Sequence, residues 1–150
     1  DNSFMNQIEI DFQTLLTEWS GVVDALRTNG ITVITADHDD ISRSLNTPNC
    51  LFPNNWFSTH DDTLTLYPMK APNRRLEIRA DIIKSLNYAT VHDMTPHLED
   101  DLYLEGTGAL VLDRQHKIAY MSLSERASPQ LAAQWAKRFK YQLILFESVV

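Results

Sequence analysis

The chain is short of several things that would place it in familiar classes. Its 150 residues contain one cysteine, Cys50, so an internal disulfide is excluded. A reducing, cytoplasmic compartment is therefore the default expectation. Basic residues are in deficit, 13 Lys and Arg against 20 Asp and Glu, for a formal net charge of −7. That balance argues against non-specific attraction to nucleic acid or to anionic membrane, but not against a local basic pocket. No apolar run approaches the roughly 18 residues of a spanning helix. The opening DNSFMNQIEIDF has neither a basic region nor an apolar core, so no signal peptide is expected, and a start other than Met suggests a processed or cut end. Glycine is scarce too, and two of the four stand in Gly106-Thr107-Gly108, which lacks the lysine and the spacing of a phosphate loop. His38, His92, His97 and His116 lie in polar loops or strand ends without ligand spacing, so no metal or cofactor is expected.

What is present fits one soluble domain spanning 1–150, with 43% hydrophobic and 22% charged residues. Phe12, Leu15, Leu16, Trp19, Val22, Val23 and Leu26 recur at helical spacing, and Asn29-Gly30 stops that helix. The β-branched run 31–36 reads as a strand, followed by a polar connection through Asn49. Residues 50–52 and 56–59 read as short strands broken at Pro53, and 56–67 as a hairpin turning at Asp61-Asp62. Residues 73–87 predict a second amphipathic helix with Leu76, Ile82, Ile83 and Leu86 on its apolar face, then a strand at 88–94. Residues 102–124 read as strand, glycine-kinked turn, strand, hairpin at 113–116 and strand. Ser128 caps a helix that opens on Pro129 and runs to 140, and a strand closes the chain. The expected class is α/β with inserted hairpins, and 31–86 and 89–139 look like two copies of a ββαβ unit.

Chemistry-bearing residues cluster in a few places. FPNNWFSTH puts Asn54, Asn55, Trp56 and His60 in one segment. The two amides suit a planar uncharged or delocalised group, although Pro-Asn-Asn is also ordinary turn chemistry. Arg74 and Arg75 open a helix, where cations oppose the helix dipole. They read either as a carboxylate clamp or as a solvated pair bridging to Glu77 and Asp81. Glu105 lies between an apolar strand and two glycines and is expected to be buried and partnered, by a histidine to orient or by backbone amides. Arg126 reads on its own as a surface arginine near a cap. Cys50 reads as a small core residue rather than a nucleophile.

Taken in order, FPNNWFSTH, LYPMKAPNRRLEIR, LEGTGALVLDR and IAYMSLSER resemble the amidinotransferase and arginine deiminase superfamily, most of all its bacterial citrulline-utilisation hydrolase branch. The resemblance implies part of a pseudo-five-fold α/β propeller (a pentein) of ββαβ units, about half of the full fan. It implies a hydrolase acting on the C–N bond of a ureido or guanidino amino acid. A Cys thiolate attacks, a His serves as acid and base, and a Glu orients it, with no metal. Glu105 matches the orienting carboxylate. Asn54 matches a position that in deiminases contacts the substrate α-carboxylate, with Asn55 beside it a further substrate-binding candidate, and Arg74 or Arg75 together with Arg126 match arginines that bind a carboxylate. His60 stands where deiminases carry an Asp that grips the guanidinium, which tilts the expectation toward a neutral ureido group such as citrulline's. Ala127 replaces the usual Thr after SER. The family's catalytic Cys and His fall beyond Val150, so the chain reads as an incomplete N-terminal half. The alternatives are an inactive amino-acid-binding module and a non-functional fragment. A small amino acid is the expected ligand, nucleic acid and membrane are not, and an uncovered sheet edge invites self-association.

Overall fold

The structure, a computed structural model, describes residues 11–36, 47 and 49–149. Two compact units divide the chain, Asp1–Asp37 and His38–Val150. In the first, α1 spans Phe12–Thr28, as its apolar spacing predicts. Asp11 caps it by accepting from the Gln13 amide at 3.1 Å, and Gly30 ends it at φ +78°. Its apolar stripe stays largely in solvent: Phe12, Leu15, Leu16, Trp19, Val22 and Leu26 are exposed and only Val23 is buried. The strand expected over 31–36 does not form. β-branched residues favour a strand only where a neighbour completes the ladder, and 31–36 pairs with no strand among the described residues. Most of the polar connection that follows lies outside the described residues.

The second unit holds two three-stranded sheets of one design. In the first, β1 (Phe57–His60) pairs antiparallel with β2 (Thr63–Leu66), turning through Asp61 at φ +52°. The chain crosses over through α2 (Pro72–Arg75) and α3 (Ala80–Leu86), and β3 (Thr90–Asp93) returns parallel to β2. After a 3-10 segment at Thr95–Asp100 and the one-turn α4 (Gly106–Ala109), the pattern recurs. Strands β4 (Leu110–Asp113) and β5 (Ile118–Ser122) form a hairpin, α5 (Pro129–Phe139) crosses over, and β6 (Gln142–Phe146) pairs parallel with β5. The internal repeat is real, but its units run 57–93 and 110–146 rather than 31–86 and 89–139.

Three other expectations are corrected. Residues 50–52 are a turn, with the Cys50 and Phe52 amides donating to the Thr47 and Asn49 carbonyls, because Pro53 opens a 3-10 turn at Pro53–Asn55. The helix expected over 73–87 breaks between Arg75 and Ala80, with Arg79 extended. That break leaves Leu76 48% exposed and turns Ile78 toward the core in its place, while Arg74 and Glu77 face inward. Residues 102–105 form no strand. Only Leu104 bridges, to Ala127, and its amide donates to the Pro68 carbonyl.

The larger core gathers Tyr67, Met94, Leu104, Leu110, Met121 and the inward face of α5, Leu131, Ala132, Trp135 and Ala136. A smaller one holds Trp56, Leu64, Leu66 and Met69 under α3. Ala127 is buried in the larger core, where a Thr hydroxyl would need a partner, which gives the SERA variant a packing reason.

Candidate active site

Two turns dock on one another to build the site. The turn at Pro53–Asn55 faces the one-turn helix at Gly106–Ala109: Asn54 Nδ2 donates to Thr107 Oγ1 at 3.0 Å, and Thr107 Oγ1 donates back to the Asn54 carbonyl at 3.3 Å. The approach needs glycine. A Cβ on Gly106, which sits at φ +37°, would lie 2.5 Å from the Asn54 carbonyl oxygen, a backbone atom that cannot step aside, whereas one on Gly108 would meet only the movable amide end of Asn55. This docking holds Glu105, the residue before the helix, at 2% exposure.

A buried carboxylate at that depth must be paired. The Lys70 amide donates to Glu105 Oε1 at 3.2 Å. Two guanidinium groups converge on the other oxygen, with Arg74 Nη1 at 3.7 Å and Arg126 Nη1 at 3.4 Å from Oε2. Arg74 reaches it from α2 and is itself 6% exposed. Arg126 reaches it from the turn between Ser124 and Ala127, and its side chain stays half-exposed. Glu77 takes the far edge of Arg74, its Oε1 3.2 Å from Nε and its Oε2 3.3 Å from Nη2. Burial pushes the Glu77 carboxyl up, while Arg74 pulls it down. Lys70 closes the rim by pairing its ammonium with Glu125, next to Arg126.

Chemically, this is a dry carboxylate with one oxygen fixed by a backbone N–H and the other facing two cations, one locked and one reachable from solvent. Such a group can orient a proton-carrying partner, and the accessible guanidinium can capture an anion. Among the described residues no three His, Cys, Asp or Glu groups could hold a metal.

A scan against family models matches residues 1–150 to N,N dimethylarginine dimethylhydrolase, eukaryotic. The chain belongs to that family. Among solved structures it is similar to a dimethylarginine dimethylaminohydrolase adduct with S-methyl-L-thiocitrulline, at 17% identity and TM-score 0.67, over 93% of this chain and 53% of that one. It is also similar to the substrate-bound N-terminal domain of ArgZ, an arginine dihydrolase from the ornithine–ammonia cycle in cyanobacteria, at 13% identity and TM-score 0.66, over 92% and 48%. AgrE in complex with L-arginine gives 16% identity and TM-score 0.64, over 90% and 19%. The chain thus spans about half the length of the first two structures. At these identities the likeness carries the fold. No curated protein matches the chain.

Of the site residues expected from sequence, this member of the dimethylarginine dimethylhydrolase family brings together Glu105, Arg74 and Arg126 as ion pairs, with Asn54 and Asn55 against the Gly106–Ala109 turn beside them. Arg75 does not join. Its Nε and Nη2 donate to the Met69 and Lys70 carbonyls at 2.9 and 2.8 Å, so it braces the backbone that carries the Lys70 amide. Nor does His60 join. Its ring is buried against Trp135, Phe139 and Tyr141. A guanidinium only donates, so Arg114 Nη1, 3.5 Å from His60 Nδ1, leaves the ring proton on Nε2. Nε2 donates to Ser58 Oγ at 3.1 Å, and the Ser58 and Tyr67 hydroxyls share a hydrogen bond at 2.6 Å. Burial first, then the charges of Arg114 and Lys117, lower His60 to about 4. Burial likewise raises Tyr67 to about 12, so the chain of polar groups is neutral at physiological pH. Cys50 is half-buried in its turn.

In sequence, Glu77 reads as a solvated partner of the arginine pair, and nothing marks Lys70. The i,i+3 spacing in Arg74-Arg75-Leu76-Glu77 carried a signal for Glu77. Lys70 acts through its backbone amide, for which a sequence carries none.

Proposed function

We propose that this chain supplies the carboxylate-and-arginine side of a hydrolase site for an amino acid bearing a guanidino or ureido group. The observation that carries the reading is Glu105, fully buried and flanked on one oxygen by Arg74 and Arg126. In this reading Glu105 accepts from the imidazole of a general acid–base histidine and fixes its orientation. Arg126, the accessible cation, takes the substrate α-carboxylate, and the Asn54–Asn55 turn walls the pocket. The nucleophilic cysteine and that histidine come from outside residues 1–150. The thiolate attacks the central guanidino or ureido carbon, the imidazolium protonates the departing nitrogen, and water delivered by the same imidazole releases the acyl or amidino group. The two ββαβ units are then adjacent blades of a pseudo-five-fold fan. Family membership favours a guanidino substrate of the methylarginine or arginine kind. A ureido substrate remains the second candidate from the sequence, and His60, seated among aromatic rings, adds nothing to it.

The test is turnover by the intact native protein of dimethylarginine, arginine and citrulline, with the products identified. Citrulline from either guanidino substrate, with a loss of at least about 100-fold on Glu105→Gln, supports the reading. Binding of these amino acids without turnover replaces the enzyme with an amino-acid-binding module. Unchanged kinetics in Glu105→Gln removes that carboxylate from the mechanism.

A further inference from the structure

The two arginines on Glu105 are not equivalent, and Glu77 is the reason. Arg74 hands the whole side-on edge of its guanidinium, Nε and Nη2, to the two oxygens of Glu77. The Glu77 side chain is fully buried, so this fork exchanges little with water. Only Nη1, at the opposite end of the plane, is presented to Glu105. Arg126 has no such lock: its side chain is 54% exposed, and Glu105 is the carboxylate it meets. Both arginines lie within ion-pair reach of one oxygen, so a free Arg74 could turn its own bidentate edge onto Glu105 and compete with any other partner of that carboxylate.

Resting on the reading above, we infer that Glu77 is a positioning residue for the reaction: by occupying the bidentate edge of Arg74, it holds that arginine as a fixed single-point neighbour of Glu105. Glu105 Oε2 then meets only single-point guanidinium contacts, at 3.7 and 3.4 Å, which leaves it a lone pair for the histidine it orients, and capture of the substrate carboxylate falls to Arg126 alone. The expected specialisation is a split in kinetics. Loss of Glu77 misorients the base through Arg74 and Glu105 and acts on kcat. Loss of Arg126 weakens the hold on the substrate and acts on KM.

The experiment uses the intact native protein and the variants Glu77→Gln, Arg126→Lys, Arg74→Lys and the Arg74→Lys/Glu77→Gln double variant, with Glu77→Asp in place of Glu77→Gln should the latter not fold. Glu77→Gln is expected to lower kcat about tenfold with KM within about twofold, and Arg126→Lys to raise KM with the smaller change in kcat. In the Arg74→Lys background, Glu77→Gln is expected to add no further loss, since the two act as one unit. In parallel, arginine-labelled NMR of the unliganded protein follows hydrogen exchange of the Arg74 Nε–H. It is expected to be protected in the native protein and to lose at least about tenfold protection in Glu77→Gln. An unchanged kcat, an effect on KM matching that of Arg126→Lys, a full additional loss in the double variant, or an Nε–H equally protected without Glu77 each overturns the inference. A native protein that turns over no guanidino or ureido amino acid overturns the functional reading instead, and the Nε–H exchange alone then decides whether Glu77 holds Arg74.

Discussion

The two ββαβ units within His38–Val150 share one topology and spend it differently. In the unit at 110–146 the crossover is a single helix, α5, capped by Ser128 and opened by Pro129, with four residues buried on its inward face. In the unit at 57–93 the crossover is broken, and α3 buries no residue fully. In place of apolar side chains, the broken segment turns Arg74 and Glu77 inward, toward Glu105. A regular amphipathic helix would have pointed Leu76 inward and left those charges in water. One copy of the fold thus carries most of the packing, and the other gives up helical regularity to place an ion-pair network, the kind of local inconsistency expected where a fold accommodates a site.

Truncating the packed copy tests this division most severely. Trp135→Ala removes an indole with no exposed surface and is expected to cost about 3–5 kcal/mol, whereas Ile82→Ala, on the half-buried helix of the other unit, should cost no more than about 2 kcal/mol. Equilibrium urea unfolding of both variants measures the gap, and equal losses would erase the distinction.

A smaller effect probes the seam where the units meet, since His60 of β1 packs its ring on Trp135 and Phe139 of α5. Its proton affinity is depressed in the fold, from 6.5 to about 4, so the unfolded chain binds the extra proton between those values. The stability contributed by the neutral ring is complete above pH 6.5 and is lost as the pH falls toward 4, by up to about 3 kcal/mol. Glu77, whose carboxyl is raised, acts in the opposite direction in acid. Comparing the pH dependence of unfolding in the native protein and in His60→Gln isolates this histidine: the variant should lose the larger part of the slope between pH 4 and 6.5, and His92, also lowered by burial, keeps a smaller part. An undiminished slope would place its origin elsewhere.

The smallest expected change is at the cap of α5. Ser128 Oγ accepts from the Leu131 amide at a long 3.5 Å, so Ser128→Ala should cost at most about 1 kcal/mol in the same urea measurement. A larger loss would mean that regularity of this crossover rests on its cap more than on its buried face.

The better-packed unit was also the more legible one. Ser128-Pro129 followed by apolar positions at helical spacing names the start of α5, and the 110–122 hairpin follows from its turn residues. In the site, Glu105, Arg74 and Arg126 stand in the motifs that carry the family resemblance, and the structure brings the two arginines onto the Glu105 carboxylate. Arg75 was indistinguishable from Arg74 in sequence, because adjacent residues separate only once the backbone chooses which faces inward. His60 stood beside the site motif, yet strand alternation and the rings of α5 drew it into the core.

Composition and periodicity by themselves determined that this is an α/β chain with hairpins, without disulfides, and with no helix among the described residues long and apolar enough to cross a membrane. These depend on local spacing and on counts. The tertiary structure alone decided that 31–36 does not become a strand and that the first crossover helix, between β2 and β3, breaks. It also decided that a backbone amide at Lys70 fixes Glu105 and that one arginine of a pair is locked by Glu77 while its neighbour braces a turn. Each of those outcomes depends on a partner distant in sequence or on which way a buried charge must face. The cost of an unpaired charge away from water is set by its three-dimensional surroundings, and those exist only once the chain has folded.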